Sequence, residues 1–207
     1  MDLQFYGANC VTLTYKGHRV VVDDNLAELG AKSILKADDV ALFSHRHPGD
    51  QPARMILDGP GEYEVADISV IGLGAQAHTD EKGQKNATMF KMVIGDVSVL
   101  ISGHIYPELS ETQLEAIGMV DVLIVPVGGN GYTVDPVGAL KLIKDIEPKL
   151  VIPTHYADKD LNFPVPQQEL SNALKEMAME PKETVLKLRI KPGELGEIAQ
   201  VVVLEKS

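Results

Sequence analysis

Cysteine is almost missing from this chain of 207 residues: Cys10 is the only one. A single thiol excludes an internal disulfide and a thiolate zinc cluster, so any metal must be held by histidine and carboxylate. Tryptophan is absent, and aromatic residues make up only 5%. Basic side chains are outnumbered, 19 against 30 acidic, for a net charge of −11 at neutral pH. Such a surface repels phosphate backbones, which argues against a nucleic-acid partner; the partner expected is a small-molecule substrate. Long apolar runs are also lacking; Val120–Val127 is among the longest, whereas a membrane span needs about 20 residues. The opening MDLQFYGAN has neither the basic start nor the apolar stretch of a signal peptide. No membrane association and a cytoplasmic location are expected. Oligomeric state is left open.

What is present is globular. Apolar residues make up 44% and charged residues 24%, enough to build a core without staples. The length fits one domain over residues 1–207. Strands are expected at Leu3–Tyr6, Val11–Tyr15 and His18–Asp23, the last two joined by a Lys16-Gly17 turn. Val40–Ser44 reads as a doubly buried strand, followed by a loop through Ser44-His45-Arg46-His47-Pro48-Gly49-Asp50. Asp58-Gly59-Pro60-Gly61 is a turn, and Glu62-Tyr63-Glu64 reads as a rigid connector. Further strands are expected at Asp67–Leu73, Met89–Ile94 and Val97–Ser102, with Gly95-Asp96 as a hairpin turn. Helices are expected at Glu111–Ile117, capped by Ser110, and at Asp135–Ile146, where Pro136 opens the helix and Val137, Leu140 and Ile143 line one face. Strand Leu150–Pro153, helix Pro166–Met177, and strands Val185–Ile190 and Gln200–Leu204 complete the chain. A β-rich opening followed by β-α-β-α units implies layered sheets covered by helices.

Of six histidines, five fall just after expected strands: His45, His47, His78, His104 and His155. Sites in sheets with parallel strands form at the carboxyl ends of those strands. His45 and His47, two apart on an extended segment, can reach one ion. Neutral imidazole suits zinc, iron, nickel and copper. An isolated His-x-His also occurs as surface decoration, and both readings stand on the spacing alone. His18 opens a hairpin strand and reads as structural. Asp23-Asp24 could support a ligand histidine from behind or simply form a turn. Gly128-Gly129-Asn130-Gly131-Tyr132-Thr133 could offer backbone N–H groups to an anion or be a plain turn; it lacks the Lys-Ser/Thr of a P-loop. No Gly-x-Ser-x-Gly elbow is present, and Cys10 reads as a core thiol.

These motifs, in order, resemble the metallo-β-lactamase superfamily, and most nearly its small bacterial branch of ascorbate-phosphate lactonase-like proteins. Tyr6-Gly7-Ala8-Asn9-Cys10 is similar to the family's opening Gly-His-x-Cys, Val20–Asp23 to its Asp-ending strand, and Ser44-His45-Arg46-His47 to its Thr/Ser-His-x-His. Gly59-Pro60-Gly61-Glu62-Tyr63-Glu64 resembles a block of the small branch. Pro126-Val127-Gly128-Gly129 and Pro153-Thr154-His155-Tyr156 resemble its late motifs. The resemblance implies an α/β fold of αββα type, two mixed β-sheets flanked by helices. It implies His45, His47 and His78 as a first metal site and His155 as a remnant of a second. The chain departs from the pattern His-x-His-x-Asp-His: Gly49 replaces the motif aspartate, Asp50 the following histidine, and His104 the bridging aspartate of a Gly-Asp element. His104 and Asp50 therefore stand as replacement groups, Asp50 as a substitute catalytic base.

Three readings follow. The first is a metal-dependent hydrolase with a remodelled, mononuclear site, acting on a small ester, lactone or phosphoester. Its ion is expected to be one zinc, with manganese or iron as alternatives. The second is a catalytically inactive metal- or ligand-binding relative. The third is a metal-free scaffold whose histidines bond one another.

Overall fold

The computed structural model describes residues 1–45 and 49–207. Two mixed sheets lie face to face. The first has six strands in the order β13 (Leu188–Arg189), β1 (Asp2–Gly7), β2 (Cys10–Tyr15), β3 (His18–Val22), β4 (Val40–Leu42) and β5 (Met55–Leu57). The second has eight: β12 (Pro181–Val185), β14 (Gln200–Leu204), β11 (Leu150–Thr154), β10 (Val122–Pro126), β9 (Val97–Ile101), β8 (Ala87–Ile94), β7 (Ile68–Ala75) and β6 (Gly61–Val65). Apolar side chains on the facing surfaces meet between them: Leu3, Leu13, Val20, Val22 and Leu42 from the first sheet, and Val70, Phe90, Met92, Val99, Ile124 and Ile152 from the second. Each such burial stabilises by roughly 1.5–3 kcal/mol.

The outer face of the second sheet is covered by three α-helices, α1 (Glu111–Ile117), α2 (Pro136–Ile146) and α3 (Leu170–Glu176). Ser110 forms a reciprocal capping box with Gln113. The Asp135 side chain accepts from Gly138 N at 2.7 Å to start α2. Among the described residues, the outer face of the first sheet is covered by one 3₁₀ turn, Leu26–Leu29, together with Leu35 and Leu161, which pack on Cys10, Val21, Ala41 and Phe43. Cys10 is therefore a core thiol. This is the αββα architecture, with one outer layer reduced to a turn and loops.

Several local expectations change. The buried face of α2 is Ala139, Leu142, Ile143 and Ile146, and Val137 is 70% exposed. Helix α3 starts at Leu170 rather than Pro166, because the backbone at Gln168 is already engaged: its N–H donates to Gly128 O and its carbonyl accepts from Ala157 N. Residues 185–190 are not one strand. Val185 ends β12 in the second sheet and Leu188 starts β13 in the first, so the chain crosses between sheets at Leu186-Lys187. Glu62-Tyr63-Glu64 is the middle of β6, paired antiparallel to β7, and not a connector.

Strand direction sets the site. β1 and β3 both run antiparallel to β2, and β3, β4 and β5 are parallel. β7 and β9 both run antiparallel to β8, and β9, β10 and β11 are parallel. Thr88 N donates to Ser44 O, and His155 N donates to Ala8 O, each at 2.7 Å. These bonds bring the carboxyl ends of strands from both sheets to one rim of the sandwich.

Candidate functional site

The chain leaves β3 at Asp23, β4 at Ser44-His45, β7 ahead of His78, β9 ahead of His104, β10 ahead of Tyr132, and β11 at His155. A cavity of about 250 Å³ opens where they meet, lined by Asp23, Asn25, Glu28, His45, Ala77, His78, Thr79, His104 and Tyr132. Asp23 and His155 both have left-handed backbones, with φ of 45° and 52°. That conformation is costly for a non-glycine residue and recurs where a side chain must be aimed.

The histidine rings are packed in a chain. His104 meets His155 edge-on with centroids 4.7 Å apart, and His45 lies 6.2 Å from His104. Tyr132 stands 5.6 Å from His104 and 5.7 Å from His155, and Phe163 closes the far side of His155 at 5.0 Å.

Hydrogen bonds fix which ring nitrogens remain available. Gln167 Nε2 donates to Val165 O, so its Oε1 must face His155 Nδ1 at 3.1 Å and accept from it. His45 Nδ1 donates to the Asn86 carbonyl at 3.0 Å. Both bonds place the proton on Nδ1 and leave the Nε2 lone pair free, the arrangement found in metal-binding histidines. His78 Nδ1 is buried with no hydrogen-bond partner.

Three of the rings, His155, His104 and His78, are held neutral. Burial pushes His155 down to about 4 against the opposing Gln167 bond. His104 is driven well below its ordinary value, by burial first and then by the facing His155 and His45. Burial also lowers His78. Neutral imidazoles with exposed lone pairs fit a divalent cation. Among the described residues, however, no three His, Cys, Asp or Glu side chains converge closely enough to hold an ion. His47, expected as a ligand, lies outside the described residues.

Among the described residues, Asp23 bonds Ser44 and no histidine. It accepts from Ser44 N and Ser44 Oγ, each at 2.6 Å, and so clamps the start of the loop that carries His45. Burial pushes its carboxyl up to about 6, against those two bonds and the charge of His45. Asp24 turns away and accepts from Ser33 Oγ, Ile34 N and Leu35 N, tying down the loop beneath the 3₁₀ turn. Gly103 (φ 62°) fits against this clamp because a Cβ there would meet Ser44 Oγ at 2.2 Å; at Gly128 it would meet His155 O at 2.0 Å. The glycine-rich loop is a turn rather than an anion cradle: Gly129 N donates to Val134 O, and Tyr132 N and Thr133 N both donate to Gly129 O. Asp50 is exposed and is not among the residues lining the cavity.

The family model for the β-lactamase superfamily domain matches residues 2–155, from the first strand to the last histidine of the rim. The chain belongs to the β-lactamase superfamily. Within it, a UPF0173 protein of Pyrococcus abyssi is 24% identical over 180 residues, 75% of this chain and 83% of that one. A UPF0173 metal-dependent hydrolase of Carboxydothermus hydrogenoformans is 49% identical over 43 residues, 21% of this chain and 19% of that one. Among solved structures, a proposed Zn-dependent hydrolase of the metallo-β-lactamase superfamily from Thermotoga maritima superposes with a TM-score of 0.75 at 26% identity, covering 99% of this chain and 98% of that one.

Gln167, Asn86 and Glu28 belong to no motif in the sequence, and the Asp23–Ser44 clamp joins two motifs that the sequence leaves separate. No local pattern marks them; Gln167 stands 12 residues from the histidine it bonds and Asn86 stands 41 from His45.

Proposed function

We propose that this β-lactamase-superfamily chain is a metal-dependent hydrolase with one ion, acting on a small ester, lactone or phosphoester. The observation that carries the reading is that His45 and His155 are bonded so that each keeps Nε2 free at one rim, beside His104 and the unpartnered Nδ1 of His78. His45, His47 and His78 would hold the ion, with His104 and His155 adjoining. Zinc suits this donor set, with manganese or iron as alternatives. When bound, such an ion supplies an activated water and polarises the scissile carbonyl or phosphoryl group.

The chain's own groups prepare that site. Gln167 and Asn86 orient the imidazoles and fix their tautomers. The Asp23–Ser44 clamp holds the root of the His45 loop. Tyr132 and Glu28 line the cavity that would receive substrate. Asp50 is the proposed general base, replacing the motif aspartate lost at Gly49. General-base assistance is typically worth about 10²–10⁴ in rate, so unchanged turnover in Asp50→Ala would remove Asp50 from the scheme.

The exposure of Asp50 and the absence of a three-ligand cluster among the described residues favour one second reading, a relative that binds metal without turnover. A panel of esters, lactones and phosphodiesters separates the two. Turnover abolished by chelation, restored by added zinc or manganese, and lost in His155→Ala supports the hydrolase. Metal bound with no turnover of any panel member supports the second reading.

A further inference from the structure

The charge of the mouth is unusual for a site expected to accept phosphoesters. The described residues lining the cavity include two carboxylates, Asp23 and Glu28, and no lysine or arginine. Glu28 is exposed on the 3₁₀ turn. Across the opening, Tyr132 is half-buried after β10. Both side chains line the same cavity of about 250 Å³. Beyond the mouth, the whole chain carries −11.

An aromatic ring beside a carboxylate at the entrance of a cavity is the combination that recognises an ammonium group. The ring face attracts a cation through its quadrupole, and the carboxylate adds a direct charge pairing. A phosphate or carboxylate entering the same cavity would be repelled by the Glu28 carboxylate. The net negative surface also concentrates cations near the opening and repels anions.

We propose that Glu28 and Tyr132 form a cation-selecting subsite, which receives an alkylammonium group of the substrate while its scissile bond faces the histidines. This rests on the hydrolase reading and narrows it, from esters, lactones and phosphoesters in general to neutral or cationic esters and lactones. Glu28 and Tyr132 are specificity residues in this scheme and have no part in bond cleavage.

Three probes of nearly one shape and different charge test it: choline, 3,3-dimethylbutanol and 3,3-dimethylbutanoate. Their binding is followed by NMR titration of chelator-treated protein, so that no bound metal contributes. The expected order is choline tightest and 3,3-dimethylbutanoate weakest. Glu28→Gln should weaken choline about threefold, as suits an exposed charge pair. Tyr132→Leu should weaken it about three- to fivefold, while Tyr132→Phe, which keeps the ring, should retain the wild-type affinity. Glu28→Lys should reverse the order of choline and 3,3-dimethylbutanoate. Glu28 is exposed, so its variants should keep the wild-type melting temperature, and the melting temperatures of the Tyr132 variants are measured alongside. Equal binding of the three probes, or a preference for the anion in the wild type, would overturn the proposal.

A second arm compares turnover of the acetate esters of choline and 3,3-dimethylbutanol by zinc-loaded protein. A choline preference that disappears in Glu28→Gln supports both readings. Choline-selective binding with no hydrolysis of either ester keeps the cation subsite and overturns the hydrolase. Hydrolysis of both esters at equal rates keeps the hydrolase and overturns the subsite.

Discussion

The rim of the sandwich has two unlike halves. On the side of β9, β10 and β11, His155 is 3% exposed and is enclosed by His104, Tyr132 and Phe163, with Gln167 fixing its tautomer. On the side of β4, His45 is exposed and held by one bond to a backbone carbonyl. The first half is rigid because three parallel strands in register end together and the loops beyond them pack on one another. Among the described residues, the second half is fixed at its root, where Ser44 is clamped by Asp23, and at the His45–Asn86 bond. A site built this way keeps its geometry on one side and leaves the other open to solvent and substrate.

The largest expected effect breaks the rigid half. Gly128→Ala forces a Cβ to 2.0 Å from the His155 carbonyl, against backbone that cannot yield. It should destabilise the protein by about 3 kcal/mol, read by urea denaturation. Gly49→Ala, on the open half, places a Cβ within 4 Å of nothing among the described residues and bears the strain of φ +95°. Its cost should be about 1 kcal/mol. Equal losses in the two variants would erase the distinction between the halves.

Opposed titrations sharpen it. Asp23 has a folded pKa near 6, raised from 3.8, so the native state holds the proton more tightly. Its contribution is complete below about 3.8 and is lost as pH rises to 6. His155 has a folded pKa near 4, lowered from 6.5, so the native state resists protonation, and stability is lost as pH falls from 6.5 to 4. Each spans about 3 kcal/mol, and His104 adds to the histidine direction. The wild-type melting temperature should therefore fall between pH 6.5 and 4. Asp23→Asn should steepen that fall and His155→Gln should flatten it; the opposite pattern in thermal melts would contradict the assignment.

Smaller effects follow from the partners of the rings. Gln167→Ala removes the acceptor for His155 Nδ1. It should cost about 1 kcal/mol in stability and roughly 10–100-fold in zinc affinity by competition titration. His45→Ala should change stability by less than about 0.5 kcal/mol, since the side chain is exposed. It should nevertheless abolish metal-dependent turnover.

Much of the rigid half was legible in the sequence. The apolar runs at Val122–Pro126 and Leu150–Thr154 mark buried strands, and the Ser110 and Asp135 caps mark where helices begin. The positions of His104 and His155 past strand ends already placed them on one rim. Less was legible where structure depends on partners distant in sequence. β5 is three residues long, with no alternation to read, and β6 opens on Gly61 after a Pro-Gly turn. The division of residues 185–190 between two sheets is decided by pairing with Asp2–Leu3 and with Val201–Leu204, which no local pattern carries. The same is true of Gln167, Asn86 and the Asp23–Ser44 clamp. Asp23 and Asp24 are neighbours in sequence, yet one faces the cavity and the other anchors a loop behind it.

The central claim is that this rim holds a metal ion between its rigid and open halves. It is tested most directly by elemental analysis of untagged protein purified without chelator and then reconstituted with zinc, beside His45→Ala and His155→Ala. About one equivalent is expected in the wild type, lost in both variants. No metal retained after zinc, manganese or iron is supplied, or an equivalent that persists in both variants, would contradict it.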